Sequence, residues 1–255
     1  VPDVFPRIAW DNLMLDATLT ASPATTETGG GTVNVQDWTP WTFWRPTGSA
    51  PWTLEADFGT SETVTCFAVA GHDCIDTVAM DTWNGAAWVE FSTTEAVAGG
   101  AVIYLTGDAV ATTKVRFRFD SLSFASIIFV GQDMVLPEGI AGGWTDPLLA
   151  QRAKTTTETS RGGVFLGTAV ELWDAELSID VKAVEASWVR DTWMPFLRAC
   201  STRPFLLHWN KDEWSGSACL CTNAKFGTTG FSQRGLCDVS VQFDADTGYD
   251  RRLTP

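Results

Sequence analysis

Six cysteines and two histidines are the residues of this sequence best suited to metal, redox or nucleophilic chemistry. Cys200, Cys219, Cys221 and Cys237 fall together in the C-terminal part of the chain. Cys219 and Cys221 stand at i and i+2 in a strand-like run, a spacing that turns both thiols to one face. Cys200 closes a helical pattern and Cys237 opens a further strand, so all four could converge. Four thiolates at one point would bind Zn²⁺ or an iron–sulfur cluster. The spacing contains no C-x-x-C pair, so buried free thiols, or a disulfide between two of the four, stand as the alternatives. Cys66 lies inside the apolar run Val64–Ala70 and reads as a small core residue, and His72-Asp73-Cys74 reads as a turn. His72 and His208 are far apart in sequence. No G-x-S-x-G, H-E-x-x-H or G-x-x-x-x-G-K-[ST] pattern occurs. Catalysis is not expected, and no cofactor is required.

Charge narrows the partners. The 31 acidic and 17 basic residues give a net charge of −14, a field that repels nucleic acid and anionic membrane. Arg116/Arg118 and Arg251/Arg252 are too small as basic clusters to reverse it. No apolar run is long enough to span a bilayer. Val1–Pro6 has neither the basic nor the apolar region of a secretory signal, so cytosolic synthesis is expected.

The elements that would position these residues are mostly strands. Thirteen Trp, 15 Phe and 22 Gly accompany short β-rich runs between turn clusters, the pattern of a sandwich or barrel. Strands are expected at Leu13–Ala21, Trp52–Phe58, Thr63–Gly71, Thr77–Trp83, Trp88–Ser92, Ala101–Leu105, Lys114–Asp120 and Ala125–Gly131. Turns are expected at Phe58–Ser61, Asn84-Gly85 and Gly107-Asp108, among others. Asn84-Gly85 supplies the φ > 0 residues of a tight hairpin. Val115, Phe117 and Phe119 alternate with Arg116, Arg118 and Asp120, one face apolar and the other charged. A Pro/Gly-rich stretch, Leu136–Gly143, is the expected linker. It divides a first domain, residues 1–134, from a second, residues 135–255. In the second, strands are expected at Leu148–Thr157, Gly163–Val170, Leu172–Val181, Pro204–Trp209, Ala218–Asn223 and Leu236–Phe243. One helix is expected near 186–200, with Trp188, Val189, Trp193, Phe196, Leu197 and Cys200 as its buried stripe and Pro195 as a kink or an N-terminal turn. The fold class is therefore all-β with two domains.

Two resemblances sharpen this reading. The runs Val35-Gln36-Asp37-Trp38, Thr42-Phe43-Trp44-Arg45, Pro51–Gly59 and Val64–His72 resemble the discoidin-like (F5/8 type C) β-sandwich jelly roll. The runs Ser160–Gly167, Trp188–Ala199 and Thr202-Arg203-Pro204-Phe205-Leu206-Leu207-His208-Trp209 resemble a β-rich tail-protein domain of long-tailed bacteriophages. The second resemblance implies a structural subunit of a tail tip or baseplate, with neighbouring tail subunits and copies of itself in a ring as partners. It implies a virion location after synthesis in the host cytoplasm. Iron–sulfur centres occur in some tail-tip proteins, which bears on the four cysteines. The first resemblance implies ligand loops at one end of the jelly roll, here Asp37–Pro51 and His72–Ile75. Trp38, Trp41, Trp44, Arg45 and His72 are then the candidates. Such rings stack on the faces of a host glycan, or they fill a subunit interface, where Trp and Arg are favoured. Assembly is the preferred reading and a lectin-like, carbohydrate-binding module the alternative.

Overall fold

A computed structural model describes residues 5–24, 26–94, 100–138, 140, 144–150, 152–210, 217–227, 229–233 and 235–248. The architecture is all-β with one helical run. The N-terminal half contributes β1 (Arg7–Ala9), β2 (Thr18–Ser22), β3 (Trp52–His72), β4 (Val78–Trp83), β5 (Trp88–Thr94), β6 (Ile103–Phe119), β7 (Ala125–Gly131) and β8 (Asp133–Val135). The C-terminal half contributes β9 (Arg152–Thr159), β10 (Phe165–Glu185), β11 (Phe205–His208), β12 (Ala218–Phe226), β13 (Gly230–Gln233) and β14 (Leu236–Asp246).

One sheet runs β2-β3-β6-β4-β5, with β7 also paired to β3, and curls around the jelly-roll core. Val115, Phe117 and Phe119 point into that core with Phe67, Leu54 and Trp44, as the alternation demands. Arg116 and Arg118 project from the opposite face, where both bond Asp81. Asn84-Gly85 forms the hairpin between β4 and β5: Gly85 has φ +96° and Asn84 Oδ1 accepts from the N–H groups of Ala86 and Ala87.

Several expected breaks are absent. Residues Leu13–Asp16 form a short 3₁₀ turn before β2, while β3 and β6 each run straight through an expected turn. At Phe58–Ser61 the positive φ of Gly59 is absorbed as a register irregularity between Asp57 and Glu62, with Asp57 Oδ1 accepting from Gly59 N–H. Gly107 lies against the ring of Phe91, where a Cβ would stand 2.8 Å from a ring carbon, so its lack of a side chain serves packing. Likewise β10 is one strand of 21 residues where two were expected, and Pro147–Ala150 is a helical turn.

The second sheet runs β8-β1-β11-β12-β14-β10-β9. It crosses the expected division at residue 134, because β1 lies between β8 and β11 and bonds to both. Arg7 on β1 bonds Asp133 on β8 at 2.8 Å, and Asp133 also accepts from Thr65 Oγ1 on β3. The two halves share a buried contact: Cys66, Ala68, Ala70, Tyr104, Ile127 and Phe129 of the first meet Leu206, Ala218 and Leu220 of the second. This explains why Cys66–Ala70 is buried on both faces of β3, and small side chains there let the sheets approach. Among the described residues no helix is long and apolar enough to cross a membrane.

The helical run over 186–200 contains a π turn at Val189–Trp193. Pro195 has no N–H to give Asp191 and would clash with its carbonyl in a regular helix. The wider turn, in which Met194 N–H donates to Val189 O, relieves both problems. Val189, Trp193, Phe196 and Cys200 are buried in the second core, and Trp188 and Leu197 pack at its margin.

Candidate functional site

The jelly-roll loops sort the five candidate residues into different roles. Trp44 is fully buried: its N–H donates to Ala125 O at 2.8 Å, its carbonyl accepts from Ala125 N–H, and its ring meets Phe119 edge-on. It plugs the barrel and cannot stack on a ligand. Trp38 is half-buried against Phe129. Trp41, by contrast, is 76% exposed. Its loop is braced by Asp37, whose Oδ1 accepts from Thr39 N–H and Thr42 Oγ1. Arg45 is exposed, reaches Glu27 at 3.5 Å and lies over the ring of Phe43.

Phe43 in turn meets Phe124 edge-on, ring centroids 4.9 Å apart. Asp73 Oδ1 accepts from the N–H groups of Ser123 and Phe124, which ties the turn after His72 to the same end of the jelly roll. The accessible cluster there is Arg45, Phe43 and Phe124 with Glu27, plus Trp41 on the same loop. Phe43 and Asp73 lie in the expected ligand loops without being singled out by sequence, and Glu27 and Phe124 lie outside them. The Phe-x-Arg spacing at 43 and 45 was the available signal, since i and i+2 share a face in extended chain.

His72 is structural. Cys74 N–H donates to its Nδ1 at 3.1 Å, so Nε2 carries the proton and donates to Ala101 O at 2.7 Å. Burial holds its pKa below the usual 6.5, outweighing the Ala101 bond and Asp73, which act the other way. Below about pH 6.5 the unfolded chain therefore binds a proton that the folded chain resists. Stability contributed by neutral His72 is present above that pH and is lost as pH falls. Urea midpoints measured from pH 7.5 down to 5 are expected to decline, and the folded His72 resonance to titrate below the free value. A His72 resonance titrating at or above 6.5 would contradict this.

The four C-terminal cysteines are all buried with free thiols. Cys219 and Cys221 share a face, as their spacing requires, with Sγ atoms 3.6 Å apart. Cys200 is near enough to bear on Cys221's ionisation. Cys237 does not join them: Cys221 pairs with Ala245, and eight residues along β14 place Cys237 on the order of 25 Å away. There it pairs with Val184 and Phe231. Among the described residues no group of three or more His, Cys, Asp or Glu could hold a metal ion. Burial pushes the Cys200 thiol up to about 12, against an opposing pull from Arg203, and Cys221 well above the usual 9.0. These thiols are expected to resist alkylation at pH 8 in the native protein and react on unfolding. By the same linkage the fold should lose stability as pH rises from 9 towards 12, because unfolded thiols ionise first. Alkylation of folded Cys200 or Cys221 at pH 8 would contradict the assignment.

A different surface stands out at the far end of the second sheet. There β9 and the first half of β10, through Asp174, pair with each other, while β14 pairs with β10 from Ala175 onward. The outer part is thus a two-stranded arm. Its turn is fixed by Ser160, whose N–H donates to Val164 O at 2.8 Å, whose O accepts from Gly163 N–H, and whose Oγ accepts from Val164 N–H. Gly163 takes φ +78° there, which glycine adopts without strain. The turn presents Val164, Phe165 and Leu166, each more than 60% exposed. Thr156, Thr157, Glu158 and Thr159 are exposed in succession, so neither face of this part of the arm is covered by the chain. The arm carries Arg152, Lys154 and Arg161 against Glu158, Glu171 and Asp174, so it has no net charge on a chain of −14.

No protein-family model matches the chain, and no curated protein matches it either. Among solved structures it is similar to chitosan-binding module 1, derived from a chitosanase/glucanase of Paenibacillus sp. IK-5, at 21% identity and a TM-score of 0.42. That likeness covers 48% of this chain and 99% of the module. A Clostridium perfringens protein solved in complex with GalNAc-β-1,3-galactose is 15% identical, with 48% of this chain and 100% of that one covered and a TM-score of 0.42. The chain spans 28% of SpGH29, at 18% identity and a TM-score of 0.42.

Proposed function

We propose that the chain is a non-catalytic structural subunit of a bacteriophage tail tip or baseplate, assembling in the virion with copies of itself and neighbouring tail subunits. The uncovered outer part of the β9–β10 arm carries the reading. An isolated two-stranded hairpin is marginally stable in water, and three consecutive exposed apolar residues at its turn form a surface suited to burial against a partner. An arm without net charge can approach a copy of this acidic chain without repulsion. The Ser160–Gly167 and Thr202–Trp209 runs, which resemble tail proteins, support a tail assembly over other kinds. Immunogold labelling of intact virions with antibody against the chain should mark the tail tip. Label confined to cell debris, or absent from particles, would refute the virion role.

A second reading, glycan recognition by the jelly-roll loops, is favoured by exposed Trp41 and by Arg45 over the Phe43–Phe124 pair. Chitotriose and GalNAc-β-1,3-galactose are the first probes to try. Saturable binding lost in Trp41→Ala or Arg45→Ala would support it, and binding unchanged in both would end it.

A further inference from the structure

We infer that the cleft between the turn Ser201–Pro204 and the bulge at Thr222–Ala224 binds a carboxylate through Arg203. The cleft holds about 250 Å³ and is also lined by Cys200. Neighbouring residues of this run already have structural duties. Phe205 is buried and opens β11, where it meets Phe196 and Phe243 edge-on. Pro204 confines the backbone of the residue before it to extended conformations. Ser201 N–H donates to Leu197 O, and Ser201 Oγ donates to Arg198 O, closing the helix end. Arg203 has no such duty.

Among the described residues Arg203 shares the lack of an ion pair with Arg161 and Arg198, but of these three it alone lines this cleft. Arg7, Arg45, Arg116, Arg118 and Arg190 each pair with a carboxylate. Among the described residues Arg203 has no ion-pair partner, although acidic residues outnumber basic ones 31 to 17. Its backbone is held, its guanidinium is uncommitted, and it lines a cleft rather than a convex surface.

The opposite wall is shaped for a ligand. The register of β12 against β14 shifts between Thr222 and Lys225, and Asn223 takes φ +54°, a left-handed conformation uncommon outside glycine. Bulges of this kind re-aim side chains. Asn223 Nδ2 donates to Asp244 Oδ2 at 2.7 Å, so the carboxylate behind this wall is already engaged. Thr202 and Thr222 also line the cleft. A guanidinium fork beside two threonines suits a planar carboxylate, which it can hold with two parallel N–H···O bonds.

Such a carboxylate could belong to a free small acid or to an Asp or Glu of another copy of this chain. Calorimetric titration with succinate, alongside sedimentation of the same full-length proteins, separates the sources. Arg203→Ala is expected to weaken succinate binding at least about tenfold. Arg203→Lys should fall between, because it keeps the charge and loses the fork, and Arg198→Ala, exposed but outside the cleft, should match the wild type. If the acid is free, self-association is untouched by Arg203→Ala. If it is borne by another copy, Arg203→Ala weakens association and succinate competes with it. Arg203→Ala changing neither succinate binding nor association overturns the site. Because all these side chains are exposed, loss of folding will not mask the result. Arm substitutions should leave succinate binding intact, which keeps this test separate from that of the assembly.

Discussion

Trp44→Ala is expected to cost about 3–5 kcal/mol of stability, the range for truncating a buried Trp, while Trp41→Ala should stay within about 0.5 kcal/mol of the wild type. The two residues are three apart in one loop and of one type, yet the fold spends them differently. Trp44 is fully buried, bridged by backbone hydrogen bonds to Ala125 and packed on Phe119. Removing its ring leaves a void at the closed end of the core that the bridged backbone cannot collapse to fill. The indole N–H is buried without an acceptor among the described residues. Trp44→Phe, which discards that unsatisfied donor and keeps a ring, should therefore be the milder change. Trp41 is 76% exposed and contributes to binding or to nothing. Urea unfolding with an unchanged slope reads both effects. The outcome matters for function, because ligand binding lost in Trp44→Ala would report unfolding. Equal stability loss at the two positions would refute this placement.

That contrast marks the limit of what the sequence discloses. Three Trp within seven residues announce an aromatic loop, but which ring plugs the barrel depends on a bridge to Ala125, far along the chain. Local pattern did reveal the Val115–Phe119 alternation and the Asn84-Gly85 hairpin, because a strand's two faces and a tight turn are short-range properties. The helical run at 186–200 was legible for the same reason, and Pro195 pointed to its irregularity. Glycine misled at 59 and 107, where a strand absorbs a positive φ in one case and makes room for Phe91 in the other. Cys219 and Cys221 met as their spacing required. Cys237 did not join them, because the register of β12 against β14 carries it to the opposite end of the sheet.

Phe165→Asp is the second large effect expected. Phe165 and its neighbours Val164 and Leu166 touch solvent on the free arm, so an aspartate there should leave the unfolding midpoint of the separated chain unchanged within about 0.5 kcal/mol. Its effect should fall on association. Aromatic residues buried at the centre of an interface typically account for 2–4 kcal/mol when truncated, and a carboxylate adds the cost of burying an unpaired charge. A weakening of association by roughly 30- to 1,000-fold follows. Leu166→Asp should act similarly but less strongly, since Leu is a poorer interface anchor. An arm that meets a different surface on the next copy makes a head-to-tail contact, which closes into a ring or extends into a filament.

Assembly through the arm is tested most directly by sedimentation velocity of wild-type and Phe165→Asp chains over a range of concentrations. The wild type is predicted to form a discrete species of several copies, and Phe165→Asp to remain a folded monomer at the same concentrations. A wild type that stays monomeric throughout, or a Phe165→Asp chain that assembles equally well, would contradict it.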